Sequence, residues 1–209
     1  MKATLSCLTL VATASFAIIP NAFAQSNSGF YVGGSVGYTD FGNGGKNDID
    51  SALVSAGATN LSSSLTSHDT GYKIFAGYQF TPNIAVEGGY VWLGTQKYRA
   101  TYTGGAASVD AKGEGFNIDV LGILPLNDTF SLFAKLGAID AKMSGSVSAT
   151  GSGGSAVVNV SQTEWKANYG IGATYNFTQA LGLRAEIERF DFPSSSSANL
   201  YSVGAQYKF

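Results

Sequence analysis

The sequence predicts an all-β chain: an eight-stranded antiparallel up-and-down barrel whose strands cross a membrane. Three observations point there. Apolar residues recur at every second position in eight separate runs, the connections between those runs alternate between short and long, and the first residues read as an export signal. Period-2 alternation sends neighbouring side chains to opposite faces of a sheet, and in a membrane barrel the apolar face meets lipid while the other lines the lumen.

The elements follow in chain order. Lys2 precedes an apolar run from Leu8 to Ile19, and Ala22-Phe23-Ala24 supplies the small-x-small pattern read by signal peptidase. Residues 1–24 are therefore expected to be removed, leaving a barrel domain over 25–209. The apolar run is short of the ~20 residues that a spanning helix needs, which argues against an uncleaved anchor. The first strand presents Phe30, Val32, Gly34, Val36 and Tyr38 to lipid, and the second Tyr72, Ile74, Ala76, Tyr78 and Phe80. The third presents Ile84, Val86, Gly88, Tyr90 and Trp92; the fourth, Phe116, Ile118, Val120, Gly122 and Leu124; the fifth, Phe130, Leu132, Ala134, Leu136 and Ala138. The sixth is longest, with Trp165, Ala167, Tyr169, Ile171, Ala173, Tyr175 and Phe177. Leu181, Leu183, Ala185 and Ile187 mark the seventh. The last nine residues, YSVGAQYKF, alternate Tyr201, Val203, Ala205, Tyr207 and Phe209 with small or polar partners. Each run suits a tilted crossing of ~9–11 residues.

Thr81-Pro82-Asn83, Leu126-Asn127-Asp128 and Thr178-Gln179-Ala180 read as tight turns, and short turns belong on the periplasmic side of an outer-membrane barrel. The Gly/Ser/Thr/Asn-rich stretches 42–69, 99–112, 143–162 and 193–199 are then the outer loops, with both termini in the periplasm. Aromatic residues gather beside the turns (Phe30, Tyr78, Phe80, Phe130, Tyr175, Phe177, Tyr207, Phe209) and beside the loops (Tyr38, Tyr72, Trp92, Trp165, Phe190, Tyr201), as two interfacial belts would. The alternation alone fits a secreted lipocalin-like barrel turned inside out, but charged lumen positions, terminal aromatics and unequal loops speak against that arrangement.

Composition narrows the function. The only cysteine, Cys7, falls in the expected signal segment, so the exported chain has no thiol for a disulfide or a metal. Without Lys2, eleven of the twelve Lys and Arg remain against fourteen Asp and Glu, and no basic cluster grips phosphate, so nucleic acid is not expected as a partner. No metal-ligand spacing or cofactor motif is present, and none is expected. The sole histidine, His68, stands between Ser67 and Asp69, but adjacent strand residues point to opposite faces and cannot converge as a catalytic set. No catalytic residues and no enzyme activity are expected.

The segment GYKIFAGYQFTPNIAVEGGYVWLG, followed by LFAKLGA, GIGATYNFT and LRAEIERFD, resembles the eight-stranded transmembrane domain of the OmpA-like family. The final SVGAQYKF resembles the family's assembly signal, polar-x-Gly-x-x-aromatic-x-aromatic, with Ser202, Gly204, Tyr207 and Phe209 on the matching positions. The resemblance implies an integral protein of a Gram-negative outer membrane, with lipid, lipopolysaccharide and the barrel-assembly machinery as partners. Many relatives continue into a periplasmic peptidoglycan-binding domain, whereas this sequence stops at the last strand, so wall tethering is not implied.

The face opposite the apolar one carries Lys73, Glu87, Asp119, Lys135, Lys166, Arg184, Glu186 and Glu188. Eight strands leave an interior just wide enough for side chains to fill it, so these groups are expected to pair across the lumen rather than stand alone at several kcal/mol each, roughly. The resemblance implies a similar internal ion network, led by Glu87, Lys135, Arg184 and Glu186. Three roles fit such a chain. The favoured one is a structural barrel with a plugged lumen that supports the envelope and displays loops. The alternatives are a small pore gated by partner exchange around Arg184, and an adhesin whose serine-rich loops contact host or phage surfaces.

Overall fold

A computed structural model describes residues 28–42, 45–151, 154–192 and 197–209. The expected signal segment lies outside these residues. The elements are β1 (Gly29–Asp40), α1 (Lys46–Ser55), β2 (Ser62–Thr66), β3 (His68–Thr81), β4 (Ile84–Tyr102), β5 (Gly105–Pro125), β6 (Phe130–Gly151), β7 (Gly154–Asn176), β8 (Leu181–Asp191) and β9 (Ser197–Lys208). Eight strands form a closed ring in sequence order, all neighbours antiparallel, and β9 returns to pair with β1 from Tyr31↔Lys208 to Asp40↔Asn199. The ninth strand, β2, adds to the outer end of β4.

Alternation explains which residues face outward. Ile118 and Leu136, at 55% and 65% exposure, stand on the outside together with Phe30, Ile74, Val120, Ile171 and Val203. Their strand neighbours Asp119, Lys135 and Ser202 are buried inside. An apolar surface of this extent is far larger than a soluble monomer tolerates, and acyl chains are the medium that suits it. No described helix is long and apolar enough to cross a membrane.

The turn end is fixed by local side-chain chemistry. Asn127 Oδ1 accepts hydrogen bonds from the Thr129 and Phe130 amides at 2.9 and 2.8 Å, and Thr178 Oγ1 accepts from Ala180 and Leu181 at 3.2 and 2.9 Å. These are the short side-chain-to-backbone closures that Asn and Thr favour in turns.

The outer stretches differ from the expected loops. Over 99–112, β4 and β5 stay paired up to Tyr102↔Gly105, and over 143–162, β6 and β7 stay paired up to Gly151↔Gly154. Beyond the bilayer no lipid selects aromatic or bulky outward residues, so the apolar rhythm fades while β-branched Val and Thr still favour strand. Segment 42–69 likewise contains α1 and β2. In the last outer stretch, β9 already begins at Ser197, and residues 193–196 lie outside the described set.

A register shift between Trp92 and Gly94 divides β4 into two parts. Gly94 has φ +84°, a left-handed conformation open mainly to glycine, and a Cβ there would meet the Asp69 side chain at 2.6 Å. The extra residue inverts the alternation: Val91 and Leu93 point inward below it, and Tyr98 and Ala100 are the buried residues above it. Gly94→Ala is expected to lower stability by about 1–2 kcal/mol, read from the urea unfolding midpoint of the chain in lipid vesicles.

Candidate functional site: a closed charge cluster in the lumen

Inward positions on β3, β4, β6 and β8 bring Lys73, Glu87, Lys135, Arg184, Glu186 and Glu188 together at mid-height. Lys73 Nζ donates to both oxygens of Glu188 at 2.9 and 3.0 Å and lies 3.5 Å from Glu186 and 3.6 Å from Glu87. Lys135 Nζ donates to Glu186 at 2.9 Å and also pairs with Glu188. The Arg184 guanidinium spans two carboxylates, reaching Glu87 Oε2 at 2.7 Å and Glu186 Oε2 at 3.0 Å. Three cations thus meet three carboxylates, and none of the six side chains is more than 3% exposed. A planar, five-donor guanidinium can serve two acceptors in fixed directions, whereas an ammonium acts as a point charge among several. That difference places Arg184 as the bridge and the lysines as shared counter-ions.

Two apolar layers enclose the cluster. Toward the turns lie Tyr31, Phe75, Ala85, Leu121 and Phe133, and toward the loops lie Val91, Leu93, Ile139, Ala141, Phe190, Phe192, Ala198 and Leu200. The Arg184 guanidinium carbon stands 4.6 Å from the Phe75 ring centroid and 4.2 Å from that of Phe133. Cation–π attraction of this kind strengthens when water is excluded. Tyr31 adds a hydroxyl that donates to Glu87 Oε2 at 3.1 Å.

The remaining expected members are placed differently. Asp119 is buried but touches no cation of the cluster; it accepts hydrogen bonds from the side-chain amides of Asn117 at 2.6 Å and Asn168 at 2.5 Å. Gly137, directly opposite Asp119 in the register, leaves room for it, since a Cβ there would come within 2.8 Å of the Asp119 Cα. Lys166 stays outside the cluster: it is partly exposed and pairs with Glu164 at 2.8 Å, because its height on β7 is above the charged layer. Phe190, read as part of the outer belt, is fully buried in the upper apolar layer. Its even number on β8, shared with Arg184, Glu186 and Glu188, already assigned it to the inner face. The parity of the inner face on each other strand, odd on β1, β3, β5 and β6 and even on β7, would have found Tyr31, Phe75, Asn117, Phe133 and Asn168.

Of the assembly-signal positions, Ser202 is buried on the inner face, Gly204 pairs with Ser35 across the β1–β9 seam, and Tyr207 and Phe209 stand outside with rings edge-to-face at 5.2 Å. His68 stacks on Tyr38 at 5.6 Å.

A second polar cluster ties α1 to the outer rim. Asp50 accepts from Lys46 Nζ at 2.7 Å, Ser63 Oγ at 2.9 Å and Tyr98 Oη at 2.5 Å, and Lys46 also reaches Ser63 at 2.7 Å. Hydrogen bonds from Lys46, then Tyr98 and Ser63, hold the Asp50 carboxyl at about 2, below the usual carboxylate range. Tyr98 faces this cluster because the Gly94 bulge turned it inward.

Closed ring, lipid-compatible exterior and ion-paired interior together define an eight-stranded membrane barrel of the outer-membrane type. The outer membrane protein beta-barrel domain family matches residues 3–209, and the chain belongs to that family. It is 30% identical over 129 residues to outer membrane protein A of Klebsiella aerogenes, covering 62% of this chain and 33% of that protein. With outer membrane protein A of Shigella dysenteriae it shares 28% over 139 residues, 66% of this chain and 34% of the other. The chain therefore spans about a third of the length of these curated relatives. Among solved structures, the outer membrane protein OprG of Pseudomonas aeruginosa superposes with a TM-score of 0.52 at 13% identity, covering 88% of this chain and 97% of that one. Ail, the attachment invasion locus protein of Yersinia pestis, superposes at 0.51 with 16% identity, covering 89% and 100%. At such identity the likeness is one of fold.

Two outcomes follow from this geometry. Arg184→Ala leaves two lysines against three carboxylates in the closed lumen, with Glu87 held only by Lys73 at 3.6 Å and the Tyr31 hydroxyl, and is expected to cost roughly 3–5 kcal/mol, whereas Lys166→Ala should stay within about 0.5 kcal/mol, both read by urea unfolding in vesicles. The Asp50 carboxylate is depressed in the folded chain, so its contribution is present above the unfolded value near 3.8 and is lost as pH falls toward about 2. Protease cleavage within residues 46–66 should accordingly accelerate over that acidic interval, with no change between pH 5 and 8.

Proposed function

We propose that this chain is a structural outer-membrane barrel: a sealed cylinder that braces the envelope and carries a protruding sheet and helix at the cell surface. The observation that supports this reading is the charge-balanced Lys73–Glu87–Lys135–Arg184–Glu186–Glu188 cluster between two apolar layers. An ion entering the lumen would have to displace a counter-ion that already satisfies its partners, at a cost of several kcal/mol, roughly. Apolar layers above and below, which hold few polar side chains, add a desolvation barrier.

In this reading residues 1–24 direct export and are removed, and residues 25–209 insert with the aid of the barrel-assembly machinery, guided by Ser202, Gly204, Tyr207 and Phe209. Lipid and lipopolysaccharide cover the outward apolar face. No substrate, cofactor or catalytic step is assigned, in keeping with a family of outer-membrane barrel proteins.

Planar-bilayer recording of the purified chain tests the seal. The wild type is expected to give no stepwise conductance above background. A steady wild-type conductance that changes in Arg184→Ala or Glu87→Ala would overturn the structural role in favour of a gated pore.

A further inference from the structure

Above the bilayer, β4, β5, β6 and β7 continue as a sheet, with β2 added at one side. The two lateral edges of this sheet differ. On one side β2 is short, Ser62–Thr66, and it is guarded by α1 and by Lys46, whose ammonium reaches Ser63 at 2.7 Å. On the other side β7 pairs with β6 along its whole length, but its pairing with β8 begins only at Asn168↔Phe190. Among the described residues, nothing pairs with the other edge of β7 from Gly154 to Ala167.

This edge lacks the usual protection against strand addition. From Gly154 to Thr163 it reads GSAVVNVSQT, with no charge and no proline. Val157, Val158 and Val160 are exposed at 64%, 56% and 57%. Proteins ordinarily blunt such an edge with lysine, proline, a bulge or a covering element, and on β2 this chain uses two of those devices.

We propose that the bare edge of β7 is a homotypic adhesion site, which pairs antiparallel with the same edge of a second copy held in a facing membrane. Strand direction selects that occupant. Two copies in one membrane are related by an axis along the membrane normal, so their β7 strands run the same way, and a tilt of roughly 35–45° makes them cross instead of align. Copies in facing membranes are related by an axis perpendicular to the strands. Their β7 edges then run antiparallel and coincide, adding on the order of 30 Å of shared ladder.

The sequence suits such pairing with itself. Centred on Asn159, an antiparallel register sets Val158 of each copy opposite Val160 of the other, and Asn159 opposite Asn159. The two nearby charges, Glu164 and Lys166, pair with each other at 2.8 Å; Glu164 falls opposite Gly154, so the two glutamates sit at opposite ends of the ladder, and Lys166 lies beyond it, so no like charges meet. Cross-strand β-branched pairs of this kind are favourable, and like charges placed directly opposite are not.

The test uses the purified chain in phosphatidylcholine vesicles, with one population donor-labelled and a second acceptor-labelled. Successive strand residues turn their N–H groups to opposite edges, so one of Asn159→Pro and Val160→Pro removes a donor from the bare edge and introduces a clash there. Heat-modifiable gel migration reports that the barrel itself is intact in each variant. Wild-type vesicles of the two populations are expected to cluster, and at least one proline variant, with its barrel intact, should cluster at least about tenfold more slowly. Four results would overturn the proposal: no clustering, clustering unchanged in both variants, copies cross-linking only within a single vesicle, or the bare edge binding an added Thr-Val-Thr-Val-Thr-Val peptide without vesicle clustering. The last would assign the edge to a foreign extended segment.

Discussion

Backbone hydrogen bonding in hydrocarbon is the constraint on which this architecture rests. A strand edge left open inside a bilayer costs several kcal/mol per unpaired group, and no water is available to relieve it. The chain meets that demand by bringing β9 back to β1, so that every strand of the ring is paired on both sides at membrane depth. Above the bilayer water satisfies the same groups, and there pairing becomes optional: β4, β5, β6 and β7 rise as an open sheet, and among the described residues nothing pairs with the outer part of one edge of β7.

Closing a ring of only eight strands creates the second demand. The bore is narrow, so inward side chains must fill it and satisfy one another. The solution is layered. Aromatic and aliphatic side chains occupy both ends of the bore, and charged groups occupy the middle, where each carboxylate of the cluster finds a cation and each cation finds at least one carboxylate. Buried ion pairs are weak sources of net stability compared with apolar packing, but they make the wrong inside-out arrangement very costly. Asp119, set apart with two asparagines, follows the same logic with neutral donors.

Much of the fold was legible from parity alone. Even-numbered Ile118 and Val120 against odd-numbered Asp119 on β5 separate lipid from lumen without any structure, and the tight turns at Asn127 and Thr178 declare themselves by residue type. Parity also put Lys73, Glu87, Lys135, Arg184, Glu186 and Glu188 on one face, although it could not rank them by height, which is why Lys166 fell outside the cluster. Phe190 was assigned to a belt by its aromatic character against its own parity. Tyr98 was hidden for a different reason, because a single added residue at Gly94 reverses the count beyond it, and no periodicity marks the point of reversal. The extended hairpins were hidden because the outward apolar signal exists only where lipid exists.

The seam between β1 and β9 joins the two most distant stretches of the described chain, with Tyr31 opposite Lys208 and the Phe209 amide donating to the Phe30 carbonyl at 2.9 Å. Contacts between residues so remote in sequence carry the largest loop-closure entropy of any pairing in the molecule, and topologies dominated by them form slowly. Until that zipper shuts, the nascent sheet has two raw margins and is an adhesive ribbon rather than a cylinder. Kinetic vulnerability is therefore concentrated at one junction, and any nick or substitution that delays it prolongs the aggregation-prone interval without altering the finished product.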